Sequence, residues 1–155
     1  MTGFILALLG AAGATIFAGI GSILGVQMCG KAAAGVTSEQ PELFGKLLVL
    51  QILPGTQGLY GFLVTIIVMV KVGLLSGSPL TSMSVGTGLA YLGACLPIMI
   101  NGLISAIFQG RVAVSGIMMT AKQPDASGKG ITMAVLVETY AILSLIISIL
   151  LVTNI

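Results

Sequence analysis

The sequence predicts an all-α integral membrane protein of four helices, organised as two helical hairpins in tandem. Hydrophobic residues make up 57% of the 155 positions and charged residues only 6%, whereas a soluble domain carries about 25% charged residues. The stretches 1–30, 47–70 and 72–110 carry no charge, and 130–155 carries only Glu138. Each stretch exceeds the roughly 20 apolar residues that a helix needs to cross a bilayer.

The helices are expected at about 3–35, 44–72, 86–119 and 129–154. The first is predicted to be a retained helix, because it lacks the basic start of a signal peptide and its apolar run is too long. Polar connections at 36–43 and 120–128 each contain a proline after a polar cluster, which is typical of a helix end and restart. The middle connection is rich in serine and glycine.

The chain repeats itself, because a shift of 83 residues aligns its two halves without a gap. The aligned pairs include turn and restart residues that apolar composition alone would not match. They are Gln40-Pro41 with Gln123-Pro124, Gly45-Lys46 with Gly128-Lys129, and Leu53 and Thr56 with Leu136 and Thr139. The repeat predicts one hairpin at 1–73 and a second at 74–155, in the same orientation across the membrane.

Glycine is concentrated in the first and third predicted helices, which contain eight and six. Small residues allow helix backbones to approach closely in lipid, so these two helices are expected to pack together with the second and fourth outside them. A plain four-helix bundle would accommodate this pattern, but a ring with a crowded inner wall explains the asymmetry better.

Basic residues indicate the orientation in the membrane. Five of the six lie near the two polar connections, and they are Lys31, Lys46, Arg111, Lys122 and Lys129. Positive residues favour the cytoplasmic side, so loops 36–43 and 120–128 are expected in the cytoplasm and both termini outside.

The scattered charges give no nucleic-acid footprint, and without histidine there is no His-based catalytic triad or His-ligated zinc.

Glu138 lies within an apolar segment, where a charge costs about 2.5–3.5 kcal/mol on insertion scales and marks a functional site by default. The plain alternative is a protonated side chain that binds a neighbouring helix. Thr56, Gln57 and Tyr60 share one helical face, and Gln109 belongs to the third helix. Counted from the cytoplasmic ends, Thr56, Gln109 and Glu138 all lie roughly 15–18 Å deep.

Pro54 and Gly55 adjoin this cluster and are expected to kink the helix, turning the Leu53 carbonyl toward a cavity. The available ligands are all hard oxygen donors, which hard cations prefer. One carboxylate is neutralised by one monovalent cation. The number of oxygens favours Na⁺ over H⁺, and leaves Li⁺ or hydronium open.

These residues resemble the duplicated proteolipid of V-type ATPases, particularly the bacterial sodium-pumping type. The likeness covers nearly the whole chain, and its most specific segments are 16–22, 53–61, 109–110 and 137–141. The resemblance implies that Glu138 is the ion-binding carboxylate. It implies further ligands from the Thr56 and Gln57 side chains, the Gln109 amide oxygen and the Leu53 backbone carbonyl, while Tyr60 steadies the site.

The resemblance also implies a ring of identical subunits in the cell membrane, a stator subunit whose arginine faces Glu138, and a central-stalk connector. The chain has no P-loop, so no catalytic centre is expected here and ATP hydrolysis belongs to other subunits. A proton-carrying proteolipid uses the same site. A small four-helix secondary transporter or channel, or a structural membrane protein, are the more distant alternatives.

Overall fold

The computed structural model describes all residues, 1–155, and every regular element in it is helical. The α-helices are α1 (Thr2–Glu39), α2 (Phe44–Ile52), α3 (Thr56–Lys71), α4 (Val85–Lys122) and α5 (Ser127–Thr153). Single 3₁₀ turns occupy Pro41–Leu43, Leu53–Gly55 and Pro124–Ala126. The predicted all-α class and its four spans are confirmed, with α2 and α3 together forming the second span.

Four segments are long and apolar enough to cross a membrane. They are Thr2–Glu39, Pro41–Lys71, Val85–Lys122 and Pro124–Thr153, of 38, 31, 38 and 30 residues. At 1.5 Å per residue they extend about 45–57 Å, beyond the roughly 30 Å of hydrocarbon. Their outer surfaces carry large apolar side chains such as Ile23 and Leu59, which are 68% and 66% exposed. Lipid is the solvent that such a surface suits.

The two polar turns are tighter than the sequence predicted. Only Gln40 and Gln123 leave helical geometry, with φ of −133° and −141°. A residue before proline is pushed toward extended geometry, and proline itself fits the first position of the next helix. Residues 36–39, 120–122 and 127–128, which were expected in connections, are therefore helical.

Both polar turns lie at the same end of the molecule. The Lys46 Nζ donates to the Pro124 carbonyl at 2.9 Å and lies 3.9 Å from the Asp125 carboxylate. At the other end Lys71 Nζ donates to the Thr153 carbonyl at 3.0 Å. The hairpins are thus parallel to each other, and the chain termini share an end with the middle connection.

Helices α1 and α4 approach closely through glycine. A Cβ added at Gly110 would lie 2.7 Å from Gly25 Cα, and one added at Gly21 would lie 2.7 Å from Leu103 Cα. Only small residues permit such a distance between backbones. The expected tight packing of the first and third spans is confirmed. In the most apolar stretch of each span, 39% of the residues are buried in the first and third spans and 28% in the second and fourth.

The apolar core is divided into two clusters. One cluster near the termini includes Ala11, Val68 and Cys95, and the other, near the polar turns, includes Leu47 and Ile117. The level between them is occupied by buried polar side chains of α3, α4 and α5. That polar layer is where the candidate site lies.

Candidate functional site

Glu138 is held at the centre of the polar layer with 6% of its surface exposed. Its Oε1 accepts hydrogen bonds from the Thr56 hydroxyl at 2.6 Å and the Tyr60 hydroxyl at 2.5 Å. Its Oε2 accepts one from the Gln109 amide nitrogen at 3.1 Å. Three donors from two other spans therefore converge on one carboxylate.

The break in the second span positions Thr56. The 3₁₀ turn Leu53–Gly55 interrupts the helix, as the proline predicted, and α3 begins at Thr56. The Thr56 Oγ1 lies 3.0 Å from the Leu53 carbonyl oxygen and 3.4 Å from Gln57 Oε1, besides its contact with Glu138. A threonine hydroxyl carries a single hydrogen, so these three acceptor oxygens surround one donor. Around Thr56, acceptor oxygens therefore outnumber the hydrogens available to bond them.

Gln57 and Gln109 close the inner side of the site, and both are fully buried. The Gln57 amide nitrogen donates to Gln109 Oε1 at 2.5 Å, while Gln109 donates onward to Glu138. Gln57 therefore supports the site through Gln109 and contacts Thr56 with its own oxygen. In this arrangement the Gln109 oxygen faces Gln57, and rotation of its amide group would exchange oxygen and nitrogen at Glu138.

The backbone beside the break is satisfied by a serine. The amide of Gly58 donates to Ser22 Oγ at 2.8 Å, which ties α1 to the first turn of α3. No sequence pattern indicated this contact between Ser22 and Gly58.

The charge of Glu138 has no fixed counterion within the chain. The one ion pair joins Lys46 to Asp125 at the end of the bundle. An uncompensated carboxylate in hydrocarbon is costly, so a mobile cation or a proton must neutralise Glu138. Chemically, the site can take up and release one positive charge.

All six residues that the sequence predicted for the site lie together. Leu53, Thr56, Gln57, Tyr60, Gln109 and Glu138 come from three segments and form one connected hydrogen-bond network. The equal depth deduced from residue counts agrees with these contacts. Ser22 is the additional residue that the structure brings to the edge of the network.

Comparison with known proteins agrees with this architecture. The chain matches the family of the ATP synthase C subunit twice, over residues 9–68 and 92–151. The two matched ranges are offset by the same 83 residues at both ends, which confirms the internal repeat.

Several curated proteins are similar over most of the chain. The K subunit of the V-type sodium ATPase of Enterococcus hirae is 53% identical over 152 residues, covering 98% of this chain and 93% of that protein. The K subunit of the A-type ATP synthase of Methanocaldococcus jannaschii is 38% identical, covering 96% of this chain and 63% of that protein. The 16 kDa proteolipid of the V-type proton ATPase of Nephrops norvegicus is 27% identical, covering 94% and 89%.

Both matched units and the four apolar spans are those of a membrane-embedded proteolipid, a non-catalytic component of a rotary ATPase. The chain belongs to the family of the ATP synthase C subunit, as a duplicated member related to the proteolipids of V-type and A-type enzymes.

Proposed function

We propose that this chain is the ion-carrying subunit of the rotor ring of a V-type ATPase and binds one Na⁺ at Glu138. The observation that carries the proposal is the buried carboxylate of Glu138, which has no fixed counterion and lies against the hydroxyls of Thr56 and Tyr60. The 53% identity to the K subunit of a sodium ATPase supports the same function.

Sodium is favoured by the donors that adjoin the carboxylate. The Thr56 hydroxyl oxygen lies 3.0 Å from the Leu53 carbonyl oxygen and 3.4 Å from the Gln57 amide oxygen. The amide oxygen of Gln109 would join them after rotation of its side chain. These are hard ligands suited to a hard cation, whereas a proton on Glu138 needs only one acceptor. A divalent ion would leave a net charge in low dielectric.

The transport mechanism would follow from the need to keep the Glu138 carboxylate neutralised in lipid. A site that faces lipid must hold its cation, because an exposed carboxylate in hydrocarbon is unfavourable. An arginine of the stator subunit would displace the ion, the site would reload from the opposite side of the membrane, and the ring would turn. ATP would be hydrolysed by other subunits of the complex.

The orientation and partners follow from the charge distribution. Loops 36–43 and 120–128 would face the cytoplasm and both termini the outside of the cell membrane. The polar residues of the two turns would contact the central-stalk connector, and they are Gln40, Glu42, Gln123 and Asp125.

Each repeat unit, 1–73 and 74–155, would form one hairpin of the ring wall, and only the second would carry an ion. Gly55 occupies the repeat position of Glu138, so the first hairpin has no carboxylate there. A ring of such chains moves fewer ions per turn than one with a carboxylate in every hairpin. This ratio suits a pump that works against a steep gradient, and counting ions per ATP would test it.

The proposal is tested by carbodiimide labelling of Glu138 in purified membranes at fixed pH with increasing Na⁺. Such reagents attack a protonated, accessible carboxyl group, so bound Na⁺ should protect Glu138. The variant Glu138→Gln should show no labelling and bind no Na⁺.

Two other results have definite meanings. Labelling that ignores Na⁺ and follows pH alone would identify a proton-carrying site. Ion transport by the purified chain alone, without an ATPase partner, would identify a secondary transporter or channel instead.

A further inference from the structure

The middle connection, residues 72–84, differs sharply in composition from the two polar turns. It carries no charged residue, whereas about three would be expected in thirteen residues at the 25% typical of a soluble domain. It exposes three large apolar side chains instead, and they are Leu74, Leu75 and Leu80 at 38%, 54% and 50%. Such a composition suits contact with an apolar medium better than contact with water.

The backbone of this connection is folded on itself. The Leu80 amide donates to the Val72 carbonyl at 3.0 Å, and the Ser78 amide donates to the Gly73 carbonyl at 3.1 Å. Gly73 and Gly77 make the chain reversals with φ of 75° and 74°, a region that glycine enters at little cost. A segment with bonded backbone groups can lie at the edge of a bilayer at a lower cost than an open loop.

Both ends of the connection are fixed to the helices. Val72 is fully buried in the apolar cluster near the termini, and Met83 packs against the same cluster. The segment between them is therefore held in place from both sides. Leu74, Leu75 and Leu80 are thus presented outward by a fixed turn.

Two lysines mark the level of the connection in the membrane. Lys46 and Lys71 bound the charge-free part of the second span, and the 25 residues from one to the other rise about 37 Å. The hydrocarbon is roughly 30 Å thick, and the bilayer with its headgroups about 40–45 Å, so both lysines lie at headgroup level. Because the connection begins at the residue after Lys71, it lies at the boundary between headgroups and acyl chains.

The exposed leucines continue the lipid-facing surface of the neighbouring spans. Val70, directly before Lys71, is 54% exposed, and Leu150 near the end of α5 is 52% exposed. Lys71 Nζ donates to the Thr153 carbonyl at 3.0 Å, so α5 ends at the same level as α3. Lipid is already the medium around this end of the chain, and it is the occupant that the leucines suit.

We infer that residues 73–80 form an interfacial anchor, in which Leu74, Leu75 and Leu80 insert among the headgroups and upper acyl chains of the bilayer. The anchor lies at the end of the bundle opposite the polar turns. Its apolar contact with lipid resists movement of the chain along the membrane normal, as in other segments that lie in the interface. This role goes beyond the proposed ion binding and depends neither on the ion nor on the number of copies.

The chain contains no tryptophan, so an introduced indole is the sole one and reports its own depth. Leu75→Trp is made in the full chain and reconstituted in phosphatidylcholine vesicles that contain iodide on both sides. Its emission should be blue-shifted from that of an indole in water. Lipids brominated near the ester groups should quench it more strongly than lipids brominated at the chain ends, and more strongly than iodide.

Two matched variants calibrate the measurement. Leu59 is 66% exposed and lies midway between Lys46 and Lys71, so Leu59→Trp should be quenched most by bromines at the chain ends. Gln123 is exposed in a polar turn, so Gln123→Trp should be quenched by iodide and little by any brominated lipid.

Each result for Leu75→Trp has a definite meaning. Strong quenching by iodide with little by brominated lipid would place the connection in water and overturn the anchor. Shielding from both quenchers would show that a protein surface covers the connection, which would also overturn it. Leu74→Trp and Leu80→Trp are measured in the same way, so the test does not depend on the folding of one variant.

A smaller probe is needed as well, because tryptophan itself favours the membrane interface. Cys29 and Cys95 are replaced by alanine, and Leu75→Cys is compared with Gln123→Cys in membrane fragments that are open on both sides. A charged maleimide should react several times more slowly with the Leu75→Cys chain. Equal rates would refute the anchor while leaving the proposed ion site at Glu138 untouched.

Discussion

The Tyr60 hydroxyl donates to Glu138 Oε1 at 2.5 Å, from a point one helical turn beyond Thr56, which donates to the same oxygen. Glu138 thus receives two hydroxyl donors from one face of α3 and an amide donor from α4. The broken second span and the unbroken fourth span meet at this carboxylate. Each contact can be removed singly by a substitution that preserves the shape of the side chain.

Removal of the tyrosine hydroxyl should weaken ion binding without abolishing it. A hydrogen bond to a charged group contributes about 1.5–3 kcal/mol, so Tyr60→Phe should raise the Na⁺ concentration that half-protects Glu138 by roughly 10-fold or more. Carbodiimide protection measures this directly. Tyr91→Phe is the control, because Tyr91 is 4% exposed and its hydroxyl makes no hydrogen bond. Equal protection of both variants would show that Tyr60 does not steady the site.

The threonine hydroxyl should matter more than the tyrosine, because Thr56 is both a donor to Glu138 and a proposed ligand. Thr56→Val keeps the volume and removes the oxygen. It should abolish Na⁺ protection over the range in which the unaltered chain is protected, and Thr56→Ser should restore most of it.

The internal repeat supplies the control for this variant. Thr139→Val removes the equivalent hydroxyl, which is exposed and bonds only Leu136. Its Na⁺ protection should match that of the unaltered chain. If Thr56→Val and Thr139→Val behaved alike, Thr56 would not be a ligand.

The amide pair should be coupled. Gln57 donates to Gln109, which donates to Glu138, and both amides are fully buried. Replacing one by leucine leaves the other without its partner, at a cost of about 1–3 kcal/mol, whereas replacing both removes that penalty. The double variant should therefore lose less thermal stability than the sum of the two single variants. Strictly additive losses, measured by unfolding in detergent, would rule out the coupling.

Much of this site is predictable from residue counts along helices. Glu138, Thr56 and Gln109 lie at similar distances from the polar turns, and helical rise is constant, so parallel spans bring them to one level. The proline at position 54 likewise predicts the break. Which side chains contact each other across spans depends on helix rotation, and helix rotation depends on packing.

The contacts that sequence did not predict have that origin. The rotation of α3 directs the amide nitrogen of Gln57 to Gln109 and leaves its oxygen, the proposed ligand, 3.4 Å from Thr56 Oγ1. Ser22 meets the amide of Gly58 because the glycines of α3 allow it to approach α1 closely, as at Gly61, where an added Cβ would lie 2.7 Å from Ala18 Cβ. The short turns at Gln40 and Gln123 are set by the prolines that follow them. Those prolines predicted the positions of the turns to within a few residues.

Close packing should control the site through Gly25. A Cβ at this position would lie 2.6 Å from the Ala106 carbonyl oxygen and 2.5 Å from Pro54 Cβ, so Gly25→Ala must displace α4 or the break that holds Leu53 and Thr56. Overpacking of this kind costs about 1–3 kcal/mol, and the displaced ligands should lower Na⁺ protection of Glu138 as well.

The same substitution at an open glycine should raise the stability of the chain instead of lowering it. Gly35 lies on the same helix with nothing within 4 Å of an added Cβ, and alanine is favoured over glycine within a helix by about 0.5–1 kcal/mol. Gly35→Ala should therefore raise the unfolding temperature in detergent and leave Na⁺ protection unchanged, while Gly25→Ala lowers both. Gly25→Ala and Gly35→Ala add the same methyl group to the same helix and differ in what that group meets. Equal stability and equal ion protection of the two variants would therefore show that the close approach of α1 to α4 does not position the ion site.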